Sequence, residues 1–173
     1  TTTRGQYTQF LKGVPGDPNS FIDYIIYPDR ERTEFGKGNR KYIQTNTAAS
    51  GWIYDAAQKQ IREQTEEQVK NFQQSIRHDL DNLLRLRWQE PGAKLVYLGR
   101  REPWKNTFSE AVRLDFADSS SVTLHFDGRT KLPLMSEYQT IEEGKPVSNQ
   151  ARFFRWAEFA GIKVPTFTDF YRE

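Results

Sequence analysis

The sequence predicts a mainly β protein with some helix, an α+β fold in which a strongly curved antiparallel sheet is partly covered by residues 57–88. Three observations predict it. Aromatic residues make up 14% of the chain, with 12 Phe, 8 Tyr and 4 Trp, and rings suit a pleated, half-buried surface. Short strand-like runs are joined by links too brief for the crossovers that parallel strands need. Over residues 57–88 alone, the apolar spacing changes from two residues to three or four.

The elements follow in order. "GQYTQFLKG" alternates as a strand and stops at the turn cluster "GVPGDPNS". "FIDYIIYPDRERTEF" is apolar and aromatic in its first half, is interrupted by Pro28 and Asp29, and alternates polar and apolar thereafter. "EFGKGNRKY" supplies a glycine-containing hairpin turn, "KYIQTN" resumes the strand, and "SGWIYDAA" adds another. From about Ala56, Ile61, Val69, Phe72, Ile76, Leu80, Leu83 and Leu84 fall on one helical face, with Arg62, Glu66, Lys70 and Arg77 opposite. One long helix, or two with a bend near Gln74–His78, is expected before Pro91-Gly92. Six further strands then follow, from "AKLVYLGRREPW" to "VPTFTDFYRE", nine or ten in all. In "SVTLHFD", Val122, Leu124 and Phe126 share a face opposite Thr123 and His125.

One pattern occurs twice. "LHFDGRTKLPLMSEY" and "EFAGIKVPTFTDFY" both break a strand near a glycine, cross a lysine and an aliphatic residue, and restart at proline. Asp127-Gly128 and Gly161 are read as reversals, and Pro133 and Pro165 as strand starts, where a missing N–H does least harm. They are structural corners with no catalytic content.

The totals limit function. The 173 residues suit one domain, 1–173, with a substantial core. Charged residues reach 28% but mix both signs, and the net charge is +2. That balance does not point to nucleic acid or to an anionic membrane, either of which needs positive charge clustered on one face. With no cysteine, disulfides, thiolate catalysis and zinc–cysteine sites are excluded. No window approaches the roughly 20 apolar residues of a membrane span. The opening "TTTRG" reads as a mature or trimmed chain, with any signal peptide missing.

Catalytic signals are weak. His78 and His125 lack metal-ligand spacing, and there is no Gly-x-Ser-x-Gly elbow. His78 reads as solvated, and His125 as lying on the polar face of its strand. The pairs Glu66-Glu67, Asp79/Asp81 and Glu142-Glu143 read as solvated charge. "GKGNRK" lacks the spacing of a phosphate loop, and "LGRREPWK", with Arg100, Arg101, Trp104 and Lys105, reads as a hairpin tip. No cofactor and no metal are expected. A curved aromatic sheet that one amphipathic helix covers incompletely leaves an apolar groove suited to an acyl chain. The alternative is that the helix fills it as an ordinary core.

"YPDRERTEF", "SGWIYD", "LHFDGRTKLPL" and "FFRWAEFAGIKVPTFTDFYRE", in that order, resemble the outer-membrane lipoprotein-sorting superfamily, the LolA/LolB-like proteins, in an uncharacterised branch. The similarity runs from about residue 5 to the end. It implies an unclosed antiparallel half-barrel of roughly eleven strands with a helical lid over an apolar cavity, in a periplasmic or secreted protein. Pro28 matches the family's proline, and Arg32 the arginine that latches the lid. Ile61, Val69, Phe72, Ile76, Leu80 and Leu83 on the lid, with Trp52, Tyr24 and Ile26 on the sheet, become the expected cavity lining. A surface pair of Arg32 with Glu31 or Glu34 is the alternative for the latch. The chain departs from the family in starting almost inside the first strand, in its longer helical insertion and in ending early, so truncated termini are expected. The implied partner is a lipid or acylated protein, with an envelope protein as a further expected partner. A cavity-less interaction domain docking through Phe153, Phe154 and Trp156 is the second reading, and an enzyme using His125 or His78 the third.

Overall fold

A computed structural model describes residues 1–142 and 145–172. The chain divides into two compact units, Thr1–Asn82 and a second from Leu83 onward.

The first unit holds a six-stranded antiparallel sheet in the order β1-β4-β5-β6-β7-β8. Its strands are β1 (Thr2–Tyr7), β4 (Asn19–Ile26), β5 (Arg30–Phe35), β6 (Tyr42–Asn46), β7 (Gly51–Asp55) and β8 (Gln60–Glu63). A separate ribbon, β2 (Phe10–Leu11) with β3 (Val14–Pro15), turns through Lys12 and Gly13, both at positive φ. The break expected at Pro28 and Asp29 separates β4 from β5. The "GKGNRK" turn joins β5 to β6 with a short 3₁₀ segment, Gly38–Arg40. Gly36 has φ +68°, and a Cβ there would stand 2.6 Å from the Arg40 carbonyl oxygen, so only glycine fits without strain.

Helix begins later than the periodicity predicts. Residues 60–63 pair with β7 in the register Trp52↔Glu63 and Tyr54↔Ile61, which corrects the helical reading of 57–64. Asp55 Oδ1 accepts from the Ala57 and Gln58 amides, and Lys59 takes φ 53°, so the chain turns back into a hairpin. The lone apolar Ile61 fitted either period. Helix α1 (Glu66–Arg77) starts at Thr65, whose hydroxyl accepts from the Gln68 amide while Gln68 Oε1 accepts from the Thr65 amide. The expected bend is real. After His78 the chain resumes as α2 (Leu80–Arg85).

The second unit is a six-stranded antiparallel meander in strict chain order. Its strands are β9 (Lys94–Trp104), β10 (Thr107–Asp115), β11 (Ser121–Phe126), β12 (Pro133–Glu142), β13 (Lys145–Phe159) and β14 (Ile162–Arg172). Its curvature is measurable. Trp104 of β9 and Phe154 of β13 lie four strands apart in the sheet, about 19 Å if flat, yet their rings are 6.4 Å apart. Arg152 stacks 5.2 Å from the Trp104 ring and 4.3 Å from that of Tyr171, pinning the roll. Register shifts along β9–β10 and at His125/Phe126 are the bulges that bend the strands. Neither six-stranded sheet is closed among the described residues.

The two corners differ from their reading in detail. Gly128 is not at positive φ; Lys131 is, at 61°, and Asp127 Oδ1 holds the turn by accepting from the Arg129 and Thr130 amides. Pro133 does open β12, whereas Pro165 lies inside β14, which begins three residues earlier. An edge strand tolerates that, because its outer N–H positions need no partner.

Candidate functional site

The expected site lies beneath α1 and α2. The predicted apolar stripe is present: Phe72, Ile76, Leu80 and Leu83 are all buried. Val69 is half-buried and borders a cleft of about 360 Å³ beside Gly51, Gln64, Lys70 and Gln73. Polar contacts tether the segment. Gln73 Nε2 donates to the Ala48 carbonyl, and the fully buried Asn82 donates to the carbonyls of Pro28 (2.9 Å) and Ile76 (2.7 Å). The Tyr27 hydroxyl is shared between Asp79 (3.3 Å) and Asp81 (3.4 Å).

The sheet residues expected to line the cavity lie elsewhere. Pairing sorts the first sheet into two faces. One register row runs Thr2–Tyr24–Arg32–Thr45–Trp52–Glu63, and Ile26 with Arg30 shares its side. This face is the solvent side: Ile26 is 67% exposed and Ile61 72%, with Tyr24 and Trp52 also exposed. Parity explains the difference, because shifting by one residue exchanges the faces. Tyr24 and Ile26 point out, and Phe21, Asp23 and Ile25 are their inward neighbours. Arg32 is on the outer face too, where its Nε (3.1 Å) and Nη2 (2.9 Å) both donate to Glu34 Oε1. The surface pair with Glu34, rather than a latch on the helix, is what the geometry holds.

The inner face is acidic at its centre, which sequence reading missed. Burial first, then Asp23 and Asp79, raises the Glu31 carboxyl to about 7. Burial also raises Asp23, partly offset by a hydrogen bond from Thr33, and it raises Asp79. The Tyr27 hydroxyl is pushed up by burial, then by Asp79 and Asp81. The signal was legible in "RERTEF": with Arg30 and Arg32 outward, Glu31 must point in. Asp79/Asp81 is therefore not the solvated pair expected. The Glu142-Glu143 reading falls outside the described side chains.

Both histidines are buried, against expectation. His78 caps α1, its Nδ1 lying 2.7 Å from the Gln74 carbonyl oxygen. His125 lies inside the rolled meander, in a row Gly99–Ala111–His125–Met135–Arg152–Asp169 that crosses all six strands. Its Nδ1 is 2.9 Å from Ser109 Oγ and its Nε2 3.1 Å from Glu137 Oε1. Acyl-transfer enzymes use these three groups; here Ser109 is only 2% exposed. The trio ties β10, β11 and β12 together. The interaction patch expected at Phe153, Phe154 and Trp156 is not one surface: Phe153 is buried with the Trp156 ring 6.5 Å away, while Phe154 points to the other face of β13 and packs against Trp104 and Phe167. Of "LGRREPWK", read as a hairpin tip, only Lys105 lies in the turn, with Asn106 at φ 62°; Arg100, Arg101 and Trp104 belong to β9.

Among the described residues, no group of three or more His, Asp or Glu is placed to hold a metal ion. No helix there is long and apolar enough to cross a membrane.

The chain matches no family model and no curated protein. Solved structures do share its fold. A domain provisionally described as an outer membrane lipoprotein-sorting protein, from Vibrio parahaemolyticus, superposes with a TM-score of 0.51 at 8% identity, covering 90% of this chain and 70% of that one. A DUF1329 family protein from Desulfovibrio piger superposes with a TM-score of 0.57 at 12% identity, covering 99% and 75%. The lipoprotein-sorting likeness read from the motifs is thus present at the level of the fold.

Proposed function

We propose that this chain is a non-enzymatic module of the cell envelope that reversibly binds a lipid or the acyl chains of a lipoprotein beneath α1 and α2. The observation that carries the reading is the buried stripe Phe72, Ile76, Leu80 and Leu83, on a tethered segment in a fold shared with a lipoprotein-sorting domain. These four side chains stand where hydrocarbon would lie, and the segment swings away as ligand enters.

Magnitudes decide what can open it. Exposing four large apolar side chains costs about 6–12 kcal/mol at about 1.5–3 each. One sixteen-carbon chain, at about 0.8 kcal/mol per methylene, roughly offsets that, and a second tips the balance. The site therefore favours diacyl over monoacyl ligands. A periplasmic or otherwise extracytoplasmic location belongs to the same reading.

The test uses delipidated protein, a fluorescent fatty acid and diacyl competitors, with native mass spectrometry to count bound chains. The chain has no cysteine, so Gln73→Cys with Ala48→Cys, joined by a short bis-maleimide, ties α1 to the sheet. Acyl uptake should disappear in the cross-linked protein and persist in the uncross-linked double variant. Equal uptake in both, or no uptake at micromolar protein, overturns the proposal.

A further inference from the structure

The pleat of the first sheet sorts charge as well as hydrophobicity. The inward positions hold Asp23, Glu31 and Asp55, with Arg62 of the edge strand β8 the one cation among them. The outward rows hold Arg4, Arg30 and Arg32, and Lys37 and Lys41 border the same side in a cleft of about 700 Å³ with Arg4, Ile22 and Glu34. Five basic groups thus stand against two outward carboxylates, Glu34 and Glu63. Glu34 is already engaged by Lys41 at 2.6 Å and Arg32 at 2.9 Å. Arg4 and Lys37 have no carboxylate partner among the described residues, and Arg30 has only Asp29 at 3.9 Å. Interleaved with these cations are Tyr24, Ile26, Trp52 and Ile61, all exposed.

We propose that this outward face is a docking surface for an anionic lipid bilayer. Trp and Tyr settle at the boundary between headgroups and hydrocarbon, exposed isoleucines gain by entering it, and arginine and lysine pair with lipid phosphates. The near-neutral total charge concealed this, since clustering on one face decides such binding, not the sum. Nucleic acid would also accept the cations and rings, but it offers nothing to Ile26 and Ile61 at 67% and 72% exposure. The face lies opposite the acidic side beneath α1 and α2, so docking is independent of whether an acyl ligand binds there.

The experiment is flotation of the protein with vesicles of phosphatidylcholine alone or containing about one-third phosphatidylglycerol, at low and high salt. Binding is expected to the anionic vesicles only, weakening with salt. Arg4→Gln with Arg30→Gln should lower partitioning about 25-fold, about fivefold per cation near the surface. Ile26→Ser with Ile61→Ser should lower it without changing its salt dependence. Arg129→Gln with Lys163→Gln, exposed cations of the second unit, removes the same charge and should change nothing. Equal binding to both vesicles, an equal loss in the control variant, or duplex DNA displacing the vesicles overturns the proposal. All replaced side chains are exposed, so melting curves should match the parent.

Discussion

Glu31 gives the sharpest test of the electrostatics beneath the helices. Its carboxyl ionises near 7 in the folded chain, against an ordinary 4.5, because it is buried beside Asp23 and Asp79. A raised carboxyl binds its proton more tightly when folded, so stability is fullest below about 4.5 and is lost as pH rises toward 7. Once ionised, the group costs about 3 kcal/mol, at about 1.4 kcal/mol per tenfold change in proton affinity. Glu31→Gln keeps the shape, cannot ionise and offers Asp23 and Asp79 an amide donor. Urea unfolding at pH 5 and pH 8 reads the outcome. Through Glu31 the parent should lose about 2.5 kcal/mol between the two, and the variant should lose much less, retaining only the slope from Asp23 and Asp79. Protection factors in α1, taken relative to the base-catalysed intrinsic rate at each pH, should fall from pH 5 to pH 8 further in the parent than in the variant, because Asp79 lies just beyond that helix. A variant no more stable than the parent at pH 8, or with the same slope, refutes the argument.

Other expectations rest on single features. Phe72→Ala should cost about 3–5 kcal/mol, the usual loss for a buried ring, read by urea unfolding. Gly36→Ala should cost about 1–2 kcal/mol from its left-handed backbone, and more from the 2.6 Å approach to the Arg40 carbonyl, read as a fall in Tm. Ser109→Ala should lower stability by about 1–2 kcal/mol through the lost bond to His125, while ester hydrolysis stays at the solvent rate in both proteins; a parent rate that Ser109→Ala abolishes would reinstate catalysis.

The strands were legible in the sequence because turn residues mark their ends and tight links allow only antiparallel neighbours. α1 was legible from Phe72, Ile76 and Leu80, and Thr65 with Gln68 marks its start, whereas Ile61 suits a strand as well as a helix. One apolar residue cannot distinguish a period of two from one of 3.6. The face of each strand was harder. Tyr24, Ile26 and Trp52 are hydrophobic yet point outward, and only pairing with neighbours of known parity settles that. The burial of His125 and His78 was not legible. It depends on how tightly the meander rolls and where the helix breaks, and both are set by contacts between residues distant in the chain.

The seam of that roll has a mechanical consequence. Trp104, Phe154 and Arg152 meet across four strands through side chains rather than through a ladder of amides. The meander can therefore gape at this end like an unlatched clasp, giving up ring and guanidinium contacts while every interstrand amide bond stays made. Lysine in place of Arg152 would keep the charge yet lose the flat group that fits between two rings, leaving the clasp slack in a sheet that is otherwise whole.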